Sequence, residues 1–256
     1  MQTFKIMSFN LRNDYSPDGI NVFPNRKSKI IEMLRRESPD IIGTQEVTDN
    51  MRNFLRDELG DYEVYGCGRE ADYHGEHTTV LLKKNIFEVI EMRNEYLSYT
   101  PSIPGRTFGR DQSPNSRMYT YVRIKARNCA PFQFVNTHLD YAGPVSNNFG
   151  MLQVLQDLNR REEKWILTGD MNVAPDSEVI KMVSHMPGRP AMDCTEGLGI
   201  TFHGFGKAPD NEREKIDYIF SDAECNKEQS YVVSDAPADG IYYSDHFAVC
   251  AFVTMP

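Results

Sequence analysis

The residues of this sequence that could do chemistry fall where apolar runs end. Asn10 follows KIMSF, Glu46 follows IIGTQ, His138 follows FVNT, and Asp170 and Asn172 close WILTGDMN. Near the C-terminus, Asp217 sits inside KIDYIF and Asp245–His246 introduces FAVCAF. A polar group at the end of a buried run must be hydrogen-bonded, solvated or coordinated. Taken singly, each reads as a turn residue, a helix cap or a satisfied histidine. Taken together, they amount to one kind of chemistry if the strand ends share a rim. Oxygen donors such as Asn10, Glu46, Asp170 and Asp245 favour hard Mg2+ or Mn2+. Zinc would want closely spaced His or Cys, as in HExxH, and no such motif is present. A metal, an Asp–Asn pair and two histidines supply what phosphate-ester hydrolysis requires. Those needs are neutralised phosphoryl oxygens, an oriented water and a proton for the leaving oxygen.

The elements that must position these residues are mostly strands. Short β-branched and aromatic runs bounded by Gly, Asn, Asp or Pro predict strands at 3–12, 40–47, 62–66, 77–84 and 87–98. Further strands are predicted at 117–126, 132–139, 164–172, 215–222 and 246–255. Some are apolar on both alternations, which implies that both faces are covered. Helical spacing is clearest at 26–37, where Ile30, Ile31 and Leu34 share a stripe ahead of Ser38–Pro39. Met51, Phe54, Leu55 and Leu59 mark a helix over 49–59, and Met151, Leu152, Leu155 and Leu158 one over 147–162. A shorter helix follows Pro175, capped by Asp176 or Ser177. Many strands with few helices imply two packed sheets flanked by helices, an α/β sandwich rather than an all-β fold. No linker, repeat or low-complexity tract divides residues 1–256, so one domain is expected.

The totals narrow the partners. The 256 residues carry a net charge of −9, whereas a protein that grips duplex DNA by neutralising phosphates ordinarily shows a basic balance. Trp165 lies in a core strand, but Tyr73, Tyr99, Phe108, Tyr141, Phe202, Phe205 and Tyr242 fall in loops, where they could stack on a base or line a sugar pocket. The cysteines at 67, 129, 194, 225 and 250 lack CxxC spacing and read as reduced thiols. No apolar stretch reaches the roughly 18 residues of a membrane span. A strand beginning by Phe4 leaves no room for a signal peptide, so a soluble, cytoplasmic protein is the expectation unless a leader was trimmed.

SFNLR (8–12), TQEV (44–47), THLDY (137–141), GDMNVAPDS (169–177), KIDYIF (215–220) and SDHFAV (244–249) resemble, in order and nearly end to end, motifs of the endonuclease/exonuclease/phosphatase superfamily. The resemblance implies a four-layer α/β/β/α sandwich of two mixed β-sheets flanked by helices, with the site at one edge of the sheets. It implies Mg2+ or Mn2+ at Glu46, with Asn10 beside it and Asp245 as a further ligand. Asp170 and Asn172 match the pair that activates or orients water and holds the phosphate. His246 matches the histidine of the final motif, with Asp217 to orient it. His138 is similar to the histidine of the deoxyribonuclease and lipid-phosphatase branches, where abasic-site nucleases carry tyrosine. Glu76, in GEHTTVLLKK, resembles the glutamate that pairs with that histidine, and Arg117, in SRMYTYV, an arginine on the scissile phosphate.

YLSYTP (96–101), THLDY and ITFHGFG (200–206) resemble a compact bacterial branch. The chain departs from that branch at Tyr96, where tryptophan is usual, and at Asn147 or Asn148, where an arginine usually opens the helix. The expectation is a divalent-metal-dependent phosphoesterase that uses in-line attack of water on a nucleic acid or a small phosphorylated molecule. A non-catalytic binding module on the same fold is the alternative. Neither a membrane anchor nor an obligate protein partner is implied. His203 is expected either at the rim or in a structural role, and His74 and His77 flank Glu76.

Overall fold

Side-chain alternation along the strands decides where the core lies, and the helices cover what the sheets leave exposed. The computed structural model describes residues 1–234 and 237–256. Its first half contains β1 (Gln2–Asn10), α1 (Phe23–Glu37), β2 (Ile41–Val47), α2 (Asp49–Glu58), β3 (Tyr62–Tyr65), β4 (His77–Lys83), β5 (Phe87–Tyr96) and β6 (Met118–Ala126). There follow β7 (Phe132–His138), α3 (Pro144–Leu158), β8 (Trp165–Asp170), α4 (Glu178–Ser184), β9 (Met192–Asp193), β10 (Asp217–Ser221), β11 (Glu224–Cys225), β12 (Tyr231–Val233) and β13 (Ala248–Met255).

One sheet has the order β11-β13-β1-β2-β4-β3, with β12 also paired to β13; the other runs β5-β6-β7-β8-β10-β9. The pairs β1/β2 and β7/β8 are parallel, and the remaining neighbours are antiparallel. Phe4, Ile6, Val80, Val122, Phe134, Ile166 and Val249 pack between the sheets. Residues Ile30, Leu34, Met51 and Leu55 of α1 and α2 cover Met7, Phe9 and Ile42 on one outer face. Residues Met151, Leu155, Val179 and Val183 of α3 and α4 cover Tyr121, Val135, Leu167 and Tyr218 on the other. The four layers α/β/β/α agree with the architecture expected from the motifs. Among the described residues, no helix is long and apolar enough to cross a membrane.

Departures from the expected elements have local causes. Helix α1 opens at Phe23, ahead of its apolar stripe, because Pro24 suits a first helical turn; Pro144 does the same for α3, which ends at Leu158. Ser177, not Asp176, caps α4, its Oγ accepting from Ile180 N at 3.3 Å. The strands expected to reach 12 and 172 stop at Asn10 and Asp170, and their last residues become rim loops. At two or three residues, β9, β11 and β12 are too short to show any period.

A buried polar bridge holds the sheets in register. Asn136 Nδ2 on β7 donates to the carbonyls of Thr44 (2.8 Å) and Thr79 (3.1 Å) in the opposite sheet. Its Oδ1 accepts from Gln45 Nε2 (2.7 Å) and Thr168 Oγ1 (3.1 Å). Gly43 makes room for this crossing, since a Cβ there would lie 2.2 Å from Thr168 Oγ1 and 2.6 Å from Asn136 Oδ1. Gly43→Ala is therefore expected to lower the unfolding free energy by about 1–3 kcal/mol, as overpacking does. Urea unfolding measures it, and an unchanged midpoint would contradict the close crossing.

Candidate active site

Strand direction gathers the polar residues at one rim. The parallel pairs β1/β2 and β7/β8 end there, and their antiparallel neighbours β4, β6, β10 and β13 begin there. Every second residue faces the gap between the sheets, and those residues turn polar towards the rim. The series run Ile6, Ser8, Asn10 on β1; Phe134, Asn136, His138 on β7; and Ile166, Thr168, Asp170 on β8. On β10, which enters from the rim, Asp217 precedes Ile219.

Glu46 breaks this alternation. Gln45 points inward to Asn136, so a regular strand would turn Glu46 out towards the helices. An extra residue between Thr44 and Val47 and a left-handed φ of 57° at Glu46 re-aim its carboxylate to the rim, as bulges commonly do.

Asp170 is the hub. Its Oδ2 accepts from Asn10 Nδ2 at 2.9 Å and lies 3.5 Å from His138 Nε2 and 3.8 Å from His246 Nε2. Its Oδ1 accepts from Asn172 N at 2.9 Å. Behind His246, Asp217 Oδ2 takes the Nδ1 position at 2.9 Å. Asn10 Nδ2 also reaches Glu46 Oε1 (3.1 Å), and Asn13 supplies its Nδ2 (2.9 Å) and backbone N–H (3.2 Å) to Glu46 Oε2. Asn172 adopts a φ of 51° and anchors its Nδ2 on the Leu139 carbonyl at 3.0 Å. A cleft of about 420 Å3 opens over these groups, within the usual range for small-molecule sites. All the site residues expected from sequence line it except Asn10 and Asp217, which stand behind Glu46, Asp170 and His246.

Burial separates the titrations of these groups. Burial alone would lower His246, but Asp217, then Asp170 and Asp245, raise it to about 10. Burial, with Arg117 and Arg69 facing it, drives His138 well below the ordinary histidine value. The rim thus holds one cationic and one neutral imidazole. Burial and then Asp217 push Asp170 up to about 7, and burial with Glu46 raises Asp245. Burial opposes the charge on Glu46, yet His246, Arg12 and the bonds from Asn10 and Asn13 lower it.

Buried carboxyls driven towards their protonated forms mark a site short of positive charge, and a divalent cation would supply it. Two groupings could hold one. Asp170, Asp217 and His246 offer ligand atoms within 4.8 Å of one another, but His246 Nδ1 is engaged by Asp217 and the ring is cationic. Glu46 and Asp245 offer carboxylate oxygens of the kind that suits Mg2+ or Mn2+, and Asn10 stands beside them with its Nδ2 on Glu46 and its Oδ1 accepting from Arg12 N at 2.9 Å. Arg12 lies 3.6 Å from Asp245 and 4.0 Å from Glu46, a partial counter-charge held from behind by Asp18 at 3.1 Å.

The other end of the cleft is built for an anion. Arg117 is buried, its Nε 3.4 Å from Asp140 Oδ2 and its Nη1 without a hydrogen-bond partner. Arg69 Nη1 donates to Glu76 Oε2 at 2.6 Å, while its Nε makes no hydrogen bond. A recess of about 10 Å3 between Arg69, Arg117 and His138 has room for about one water-sized atom. Here one expectation needs correcting: Glu76 is not hydrogen-bonded to His138. The backbone bond Arg69 N to Glu76 O (3.0 Å) brings the guanidinium alongside, so Arg69 and the Tyr15 hydroxyl take both oxygens of the Glu76 carboxylate.

No motif or spacing singles out Tyr15 or Arg69 in the sequence. Arg12 and Asn13 are signalled only by directly following Asn10. His203 is structural, stacked on Phe247 at 3.9 Å with its Nδ1 accepting from Gly206 N at 3.0 Å. His74 and His77 both bond to Asp49 at 3.1 Å; His74 lies away from the cleft, whereas His77 borders the recess between Arg69, Arg117 and His138. Asn147 and Asn148 lie on α3, and neither lines the cleft.

The split between the two imidazoles is measurable. Because the folded-state pKa of His246 is raised to about 10, the stabilisation it brings is complete below its ordinary 6.5 and is lost as pH climbs through 10. In metal-free protein at pH 8, nitrogen NMR is expected to find both ring nitrogens of His246 protonated and His138 neutral. Asp217→Asn should leave His246 neutral at the same pH; a neutral His246 in the unaltered protein would contradict the geometry.

Comparison with known proteins agrees with this fold. A family model described as the Endonuclease/Exonuclease/phosphatase family matches residues 7–246. The endonuclease/exonuclease/phosphatase from Bacteroides vulgatus has a similar structure, with 26% identity, a TM-score of 0.91 and full coverage of both chains. The mannosyl-6-phosphatase of Bacteroides thetaiotaomicron is similar at 23% identity and a TM-score of 0.82, over 98% of this chain and 100% of that one. TDP2 of D. rerio, complexed with a single-strand DNA product, shares the fold at 16% identity and a TM-score of 0.77, over 99% and 100% of the chains. No curated protein matches the sequence significantly. With a family model spanning almost its whole length, the chain belongs to the endonuclease/exonuclease/phosphatase family.

Proposed function

We propose that residues 1–256 form one hydrolase domain that cleaves a small phosphomonoester with the help of Mg2+ or Mn2+. The observation that carries this reading is Asp170, which faces the cleft in contact with Asn10, His138 and His246, with Asp217 behind His246. A divalent cation at Glu46 and Asp245, beside Asn10, would neutralise the phosphoryl oxygens when bound. Asp170 takes the proton of the attacking water, a task that a carboxyl near 7 suits at neutral pH. Asn172, tethered through its Nδ2, leaves its amide oxygen to orient that water. As water oxygen bonds to phosphorus in line, the ester P–O bond breaks and His246 gives its Nε2 proton to the leaving oxygen. Arg117, Arg69 and neutral His138 hold the terminal phosphoryl oxygens. A non-catalytic module would lack one of these groups, and each is present.

The choice of a small substrate rests on the mouth of the cleft. Glu212 and Glu214 stand on one wall beside Phe202, and they would repel a polyanionic nucleic-acid strand. Tyr15 and Tyr141, both largely exposed, offer flat faces to a sugar ring. The mannosyl-6-phosphatase and the DNA-bound TDP2 between them span both substrate classes on this fold, so the fold itself does not decide.

Turnover of sugar phosphates, inositol phosphates, bis-p-nitrophenyl phosphate, single-stranded DNA, RNA and plasmid tests the reading. Phosphate release from the monoesters is expected with Mg2+ or Mn2+ and should vanish in EDTA. Asp170→Asn and His246→Ala should each lose about 100- to 10,000-fold, the usual worth of a positioned acid or base. Near-normal turnover by either variant would refute the assigned roles, and a preference for DNA would overturn the substrate class.

A further inference from the structure

One buried cation takes no part in the chemistry above. Arg26 of α1 is wholly buried, yet among the described residues its guanidinium makes no ion pair with a carboxylate. All of its hydrogen bonds go to backbone carbonyls instead. Nε donates to Asn21 (2.6 Å), Nη1 to Leu11 (2.8 Å) and Tyr243 (2.7 Å), and Nη2 to Arg12 (2.9 Å) and Asn13 (3.4 Å). A guanidinium has five N–H donors, so every one is matched. A lysine has three donors and a glutamine two, so neither could satisfy the set.

Four of the five carbonyls belong to two loops that meet at the rim. Residues 11–13 continue β1 beyond Asn10, and 243 lies two residues before Asp245. Arg12 adopts a left-handed φ of 52°, which is uncommon for a side chain of its size. Arg26 grips that residue's carbonyl, while its N–H donates to Asn10 Oδ1 at 2.9 Å. On the other side, Ser244 Oγ donates to the Asn10 carbonyl at 2.7 Å. The two loops are therefore held in register from within the core.

We infer that Arg26 is a positioning residue that sets the separation of Asn10 and Glu46 from Asp245, and so the affinity of the site for a divalent cation. The inference rests on the proposal that Glu46 and Asp245 take the cation. Isothermal titration of Mn2+ into Arg26→Lys and Arg26→Ala, alongside the unaltered protein and without substrate, tests it. Both variants are expected to bind Mn2+ about 10- to 100-fold more weakly, the usual effect of losing a group that orients metal ligands. Ethylguanidinium should restore affinity to Arg26→Ala, and Arg35→Gly, which weakens the same helix without touching either loop, should bind Mn2+ as the unaltered protein does. Unchanged Mn2+ affinity in both variants would overturn the inference.

If neither variant folds, hydrogen exchange on the unaltered protein decides. Mn2+ should slow the amides of 11–13 and 243–246 together, and protection confined to one loop would overturn the coupling. An unaltered protein that binds no Mn2+ would instead remove the proposed metal site, and this inference with it.

Discussion

A carboxylate taken out of water loses several kcal/mol of solvation unless other groups replace it. Asp170 is 1% exposed, and much of the rim can be understood as that replacement. Asn10 reaches it from the opposite sheet, Asn172 turns through a left-handed conformation to offer its N–H, and two histidines approach from β7 and the segment before β13. Asp217 adds a second buried negative charge, which raises both Asp170 and His246. The result is a poised set, with a carboxyl near neutrality beside an imidazole that carries its proton at neutral pH. Such separation of titrations is a common feature of acid–base sites.

This concentration of charge has a structural cost, and the interior is organised around it. Apolar residues fill the far end of the inter-sheet gap, and hydroxyls and amides fill the middle. The Asn136 bridge lies at that middle level and fixes the spacing between the sheets, with Gly43 allowing the approach. Arg12, Arg69 and Arg117 bring cations to the rim at side-chain level, whereas Arg26 acts through backbone alone. Natural proteins commonly spend stability at such sites and recover it in the surrounding core.

Much of this was legible in the sequence because strands impose a simple rule. Apolar runs that end in Asn10, His138 or Asp170 mark the rim whatever the order of the strands. The six blocks resembling the family then supplied the layers, and the structure has them. What stayed hidden depends on contacts between distant segments. Glu76 meets Arg69 through backbone pairing across a loop, so its partnership with that arginine and Tyr15 rather than His138 has no local signal. Arg26 looks like any polar residue at the start of an amphipathic helix, because the carbonyls it satisfies come from loops on either side of the chain. Strands of two or three residues, such as β9 and β11, exist only because neighbours offer them edges.

The division of labour at the rim comes down to where a divalent cation binds. Glu46 and Asp245 offer it oxygen, while Asp170, Asp217 and His246 form a competing triad that would have to surrender its hydrogen bond. Manganese anomalous scattering from crystals grown in Mn2+ separates the two directly. A peak coordinated by Glu46, with the Asp217–His246 hydrogen bond intact and Asp170 free to act on water, is the predicted result. A peak bound by Asp170, Asp217 and His246 would contradict it, because Asp170 would then be a metal ligand and not the base.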